Sequence, residues 1–304
     1  MNVAPEFHRL GPRGIVWIAG YPRSGSTWMR VFLYNLIRLA GGHPAVDDYI
    51  NDLGRIGPLE RARADLFQRF LGKPVGEATW DEVVPVRPRV HAAIAEEADG
   101  LVMAGTHNAL GVVMDVPLIN MDATSGAIYV MRNPLDVAVS LAAYHGQSID
   151  QAIERMGTAG CQTANAPGAA YEHLGSWSEN VLTWVGSQQP TIFPVRYEDM
   201  LAIPGDVFGA VARFVAQPAT PAQLAEAIDL AAFDRLHRME QTVGFAEAAT
   251  GRPFFRSGHA GQWRDAMTEE QVRRVVADHH DMMRRAGYLS DDLSGFAPAP
   301  SPAT

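Results

Sequence analysis

Several stretches of the chain carry residue types suited to holding a phosphate-like anion and moving a proton. The first is Gly20-Tyr21-Pro22-Arg23-Ser24-Gly25-Ser26-Thr27-Trp28, a cation and three hydroxyl residues set among glycines. Backbone N–H groups in such a loop, followed by a helix start, converge on one spot where the helix dipole adds positive potential. The second is His107, in Gly105-Thr106-His107-Asn108. An imidazole can serve as general base near neutral pH, or it can be a structural residue at a strand end. The third runs from Arg132 through Asn133-Pro134-Leu135-Asp136 to Ser140. A guanidinium there can fork onto a phosphate or pair with Asp136. The fourth is Arg256-Ser257-Gly258-His259-Ala260-Gly261-Gln262-Trp263, a further guanidinium in a loop whose glycines let backbone approach a ligand.

The elements needed to position these residues are legible around them. Ile15 to Ala19 is a short apolar run suited to a buried parallel strand, and a helical period starts at Ser26 with Trp28, Val31, Phe32 and Leu36 on one face. Leu101 to Gly105 and Ala127 to Met131 read as strands ending at His107 and Arg132, with Asn133 as N-cap and Pro134 as the first helical residue of the next helix. Thr191 to Val195 is another strand, leading into Arg196-Tyr197-Glu198-Asp199-Met200, where Glu198 and Asp199 are expected to begin and cap a helix. The carboxyl edge of strands is where open α/β sheets bind ligands. Residues 45–100 read as a helical insertion with helices near 58–70 and 89–98, able to shape a pocket. Further helices are expected at 149–156, 171–188 (with Trp177 and Trp184 as core or pocket wall), 204–232 in two parts, and 268–286. A mobile surface loop is expected at 157–170 and a poorly ordered tail at 290–304. No internal repeat is visible.

The chain of 304 residues fits one domain over 1–304, and its 47% hydrophobic content supports a sizeable core. A formal charge of −9 argues against nucleic acid or acidic membranes as partners. One cysteine, Cys161, allows no intrachain disulfide and no cysteine-based metal cluster. Residues 1–13 show no secretory signal and no apolar run is long enough for a membrane span, so a soluble, cytoplasmic protein is expected.

Gly20-x-x-x-x-Gly25-Ser26-Thr27 has the Walker A frame, with serine in place of its lysine and the cation moved to Arg23. Tyr21-Pro22-Arg23-Ser24-Gly25-Ser26-Thr27-Trp28 resembles the YPKSGTTW loop of the sulfotransferases that use 3′-phosphoadenosine 5′-phosphosulfate (PAPS). Thr106-His107, the 132–140 stretch and the 256–263 loop resemble that family's other motifs, in family order. The resemblance implies an α/β fold with a P-loop-like central parallel sheet flanked by helices on both faces. It implies that Arg23, Ser24, Gly25, Ser26, Thr27 and Trp28 cradle the 5′-phosphosulfate end of the donor. Arg132, Ser140, Arg256, Ser257 and Gly258 would hold the 3′-phosphate, and Tyr197 and Phe233 would meet the adenine. Phe233 could equally be core. His107 would take the proton from a hydroxyl, or less readily an amine, of a small-molecule acceptor. No metal would be required, because the chain supplies the cations. Arg23, Gly105 and Ser257 replace family lysines, and residues 264–273 depart from the segment that many family dimers use, so no oligomeric state is implied. A magnesium-dependent P-loop kinase or nucleotide hydrolase, and a non-catalytic protein that binds 3′-phosphoadenosine 5′-phosphate (PAP), are the alternative readings.

Overall fold

The computed structural model describes residues 10–187, 189, 191–248 and 251–296. The chain begins with strand β1 (Gly14–Ala19) and helix α1 (Ser26–Ala40), then enters the insertion with α2 (Ala64–Leu71) and α3 (Trp80–Glu96). Strand β2 (Leu101–Thr106), a small hairpin of β3 (Val112–Val113) and β4 (Val116–Pro117), and β5 (Thr124–Met131) follow. Next come α4 (Pro134–His145), α5 (Ile149–Gly157), α6 (Trp177–Val185) and β6 (Ile192–Arg196). Helices α7 (Tyr197–Ala202), α8 (Pro204–Phe214), α9 (Pro221–Leu230), α10 (Phe233–Val243), α11 (Trp263–Ala266) and α12 (Glu269–Arg285) complete the described chain.

Among the described residues the main sheet has the order β2-β1-β5-β6, and all its pairings are parallel. Every residue of β1 is buried, so its apolar run serves both faces. Alternation sorts the side chains: Ile15, Trp17 and Ala19 join the core beneath α3, α4, α6 and α12, while Val16 and Ile18 join the core beneath α1, α8 and α9. The α/β class with helices on both faces is therefore the observed architecture. Strand order reverses between β1 and β5, and a crevice opens beyond the carboxyl ends of strands at such a switch. Gly20, His107, Arg132 and Tyr197 lie at or just past the ends of β1, β2, β5 and β6 respectively.

The insertion differs from the sequence expectation. Only α2 falls near the first expected helix, and α3 starts at Trp80, well before residue 89, with Pro85 and Pro88 inside it. Proline removes a helical hydrogen bond and argues against that assignment locally. A capping box of Thr79 and Glu82 starts the helix, buried Val83, Val84, Val90 and Ile94 hold its face, and Arg87 anchors its middle. Arg87 Nη1 donates to both oxygens of the fully buried Glu60, at 2.6 and 2.8 Å, and Nη2 donates to the Tyr171 carbonyl. Burial works to raise the Glu60 pKa, but Arg87 and His91 together hold it below its usual value.

Three further expectations shift. The helix expected at 171–188 spans only Trp177–Val185, because Ser176 and Glu179 form a capping box there, and Trp177 and Trp184 are core. The 157–170 stretch is tied down by backbone bonds, among them Thr163 N to Glu172 O at 2.9 Å and Ala170 N to Arg61 O at 2.8 Å. The start of the expected tail forms a 3₁₀ turn at Asp291–Phe296 with Leu293 buried, and residues 297–304 lie outside the described residues.

Candidate active site

One cavity opens at the carboxyl edge of the sheet, and it gathers most of the residues singled out by sequence. Arg23, Gly25, Ser26, Thr27, Trp28, His107, Arg132, Ser140, Tyr197, Phe233, Arg256, Ser257 and Gly258 all line it. Ser24 is the exception: it is fully buried, its Oγ has no partner, and its N–H is spent on the Tyr21 carbonyl at 3.1 Å.

The loop from β1 to α1 has the form of an anion cradle. Helix α1 begins without a side-chain cap, so the first-turn N–H groups have no partner from that source. Gly25, at φ 107°, leaves the start of α1 open, and a side chain there would strike the Tyr197 ring at 2.7 Å. Arg23 holds φ 70°, a left-handed conformation that costs an L-residue energy and must be held by its surroundings. Its Nε donates to Ser140 Oγ at 3.1 Å and its Nη2 to the Phe254 carbonyl at 3.0 Å, with the rings of Phe254 and Tyr144 at 4.2 and 4.7 Å. The guanidinium expected at one end of the donor is therefore bonded to a residue expected at the other. Burial, with Arg132 and Arg256 adding to it, pushes the Arg23 pKa down to about 10, which still leaves it charged at neutral pH.

His107 is oriented by its own surroundings. Its Nδ1 lies 2.6 Å from the Gly20 carbonyl, which can only accept, so Nδ1–H donates and, in the neutral ring, the lone pair is on Nε2. The His107 N–H donates to Glu172 Oε1 at 2.8 Å and its carbonyl accepts from Asn180 Nδ2 at 3.0 Å. The base candidate is thus fixed directly to the first residue of the anion loop.

Arg132 does not pair with Asp136. The Asp136 carboxylate accepts from the N–H groups of Gly261 and Trp263, at 2.7 and 3.1 Å, and so shapes the 256–263 loop. Arg132 donates to the Arg23 and His259 carbonyls, stacks 4.2 Å above the Tyr197 ring, and keeps a buried Nε without a partner. An orphaned guanidinium N–H on a cavity wall fits an anionic ligand. Gly258, at φ 66°, lies so close to Phe233 that a Cβ would fall 2.2 Å from the ring, and Arg256 is held by Gln262. Asn133 caps α4 through Leu135 N at 3.0 Å, as expected. Glu198 and Asp199 lie in the first turn of α7, as expected, though no side chain caps that helix; Glu198 accepts from Asn133 N and the Tyr288 hydroxyl, each at 3.0 Å.

At Gly105, where the resemblance expects a lysine, a Cβ would sit 2.7 Å from the end of the Leu59 side chain and 3.5 Å from Arg30 Cδ, so a side chain there would require Leu59 to shift. The buried cation at that spot is Arg30, paired with Glu247 at 2.8 Å. Sequence reading also missed Leu59, Arg61, Tyr144, Arg155, Thr163, Glu172, Glu247 and Phe254 as cavity residues. For Glu172 a signal existed, since the Ser176–Glu179 capping box takes residue 172 out of the helix. The rest lie on separate elements with no motif to join them.

The parallel sheet with helices on both faces and a cavity at its carboxyl edge defines the α/β class, and the comparisons specify it. A sulfotransferase-domain family model matches residues 14–287, so the chain belongs to the sulfotransferase family and is an enzyme of that class. Flavonol 3-sulfotransferase of Flaveria bidentis is 24% identical over 86% of this chain and 78% of its own length. Cytosolic sulfotransferase 8 of Arabidopsis thaliana is 22% identical over 85% of this chain and 73% of its own length. Mouse sulfotransferase SULT7A1, solved with PAP, shares the fold at TM-score 0.58, with 16% identity over 95% of this chain and 90% of that one. Retinol dehydratase, solved with retinol and PAP, does so at TM-score 0.59, with 18% identity over 90% and 83%. Among the described residues no helix is long and apolar enough to cross a membrane.

Proposed function

We propose that this enzyme transfers a sulfuryl group from PAPS to a hydroxyl of a small-molecule acceptor, with His107 as the base and attack in line with the bond that breaks. The observation that carries the reading is the 2.6 Å contact between His107 Nδ1 and Gly20 O, which sets a lone pair at Nε2 on the cavity that the anion loop also lines. PAP in the neighbouring structures supports the donor assignment. So do the residues present here: an uncapped helix start, the orphaned Arg132 Nε, and the Gly258–Phe233 contact beside Tyr197. When bound, PAPS supplies an activated sulfuryl group on a phosphate leaving group.

The chain does the rest. The first-turn N–H groups of α1 and the guanidiniums of Arg23, Arg132 and Arg256 hold negative charge, preorganised so that little reorganisation accompanies the charge gained by the leaving phosphate. Arginine stays protonated, so Arg23 acts as a fixed clamp rather than a proton donor. Tyr197 and Phe233 offer faces for a purine. His107 Nε2 accepts the acceptor's hydroxyl proton while the Gly20 carbonyl holds Nδ1–H in place.

Thermal unfolding with PAP, with ADP, and with ATP plus magnesium tests the donor, because a ligand of the native state raises the midpoint. Stabilisation by PAP is expected; stabilisation by ATP-magnesium without PAP would favour the kinase alternative. His107→Ala is expected to lower kcat by about 10²–10⁴-fold while PAP affinity is kept. Full turnover in that variant would remove His107 from the mechanism.

A further inference from the structure

The cavity holds more guanidinium charge than the donor accounts for. Arg23, Arg132 and Arg256 are assigned above, but Arg61 and Arg155 also line it. The cavity's carboxylates are already committed. Glu247 is paired with Arg30 at 2.8 Å. Glu172 accepts the His107 N–H and sits 3.5 Å from Arg61. Arg155, on α5, meets no carboxylate among the described contacts; its neighbour is His145, with Nη1 3.4 Å from Nε2. A guanidinium can only donate, so His145 Nε2 accepts and that ring stays neutral. The His145 pKa is lowered by burial and then by Arg155, Arg23 and Arg252, which marks the region as electropositive. This stands out in a chain whose formal charge is −9.

The position of Arg155 points to the acceptor side. Arg155 lines the cavity from α5 (Ile149–Gly157), an element that carries none of the residues assigned to the donor, while the Tyr21 hydroxyl is buried without a partner. Tyr21 directly follows Gly20, the residue that holds His107. Leu59, Leu141 and Tyr144 add apolar and aromatic surface to the same cavity wall.

We propose that the acceptor is a hydroxyaryl carboxylate, whose carboxylate is held by Arg155 while its hydroxyl faces His107. This rests on the sulfotransferase reading. In the transfer the acceptor oxygen forms the new S–O bond, the bond from sulfur to the donor phosphate breaks, and the hydroxyl proton passes to His107. The donor leaves as PAP. The carboxylate is unchanged and serves only for binding.

The test is calorimetric titration of the PAP-saturated protein with a panel of phenolic acids, each paired with its methyl ester. Acids are expected to bind about tenfold or more tightly than their esters, as a charge-assisted bond implies. Arg155→Gln is expected to collapse that ratio towards one, and Arg155→Lys to restore part of it. PAP binding with no acid preference in any pair, or an unchanged preference in Arg155→Gln, would overturn the proposal alone. Failure of the protein to bind PAP at all would overturn the sulfotransferase reading and the proposal with it.

Discussion

The two ends of the cavity are built differently. The proposed donor end is made of contiguous segments: residues 20–28 and 132–140, which follow the ends of β1 and β5, and the 256–258 loop between α10 and α11. Much of its binding capacity is backbone, presented by α1 and by loops whose glycines sit at positive φ. The proposed acceptor end is assembled from single side chains on unrelated elements: Leu59 and Arg61 from the insertion, Arg155 from α5, and Thr163 and Glu172 from the segment before α6. A backbone-based anion site needs a particular sequence in one place, whereas a side-chain wall needs only that distant residues arrive together. The first leaves a motif; the second does not.

Among the groups that hold the donor, loss of the fixed cation should have the largest effect on turnover. Arg23→Ala is expected to lower kcat by about 10²–10³-fold, the usual consequence of removing a preorganised charge-stabilising donor. Arg23→Lys is expected to recover most of that, which single-turnover rates would show. A loss confined to PAP affinity would instead place Arg23 functionally with Ser140, the residue it bonds at 3.1 Å.

Behind the acceptor wall, Arg87→Met would strand the Glu60 charge in the core. Denaturant unfolding should show a loss of about 3–5 kcal/mol, much of it regained when Glu60→Gln is added. An unchanged midpoint would mean that the pair does not support the insertion.

Acid sensitivity separates the frame from both ends. His279 is buried against Trp177, and burial pushes its pKa down to about 4. Unfolded, it titrates near ~6.5, so between these values the unfolded chain binds more protons. This contribution is therefore fully present above the unfolded value and falls away as pH drops towards 4, by on the order of 3 kcal/mol. His279→Leu should flatten the stability profile in that window without moving the pH profile of kcat.

Arg132→Ala should weaken PAP binding by about 10–100-fold, the worth of a charge-assisted fork. Acceptor binding to the PAP-loaded form should change less, and an equal loss for both would mean that the two ends are energetically one site.

The sheet, the helix that follows β1, the cap at Asn133 and most of the donor wall follow from local sequence. Continuous apolar runs specify buried strands, and glycine, asparagine and proline at fixed offsets specify the turns after them. Misreadings arose where tertiary contacts outweighed local preference. Pro85 and Pro88 lie inside α3 because buried apolar contacts and the Arg87–Glu60 pair support that helix. Tyr171 and Glu172 leave the helical register because the capping box at Ser176 sets the start of α6.

By itself the sequence determined that strands would end at a glycine loop, a histidine and an arginine, since those choices depend on neighbours along the chain. Only the tertiary structure decided that Gly20 would hold the His107 ring, that Arg30 would occupy the space beside Gly105, and that Arg155 would line the same cavity as His107. Those pairings join residues far apart in sequence, and their energies exist only once the sheet has brought its strand ends together.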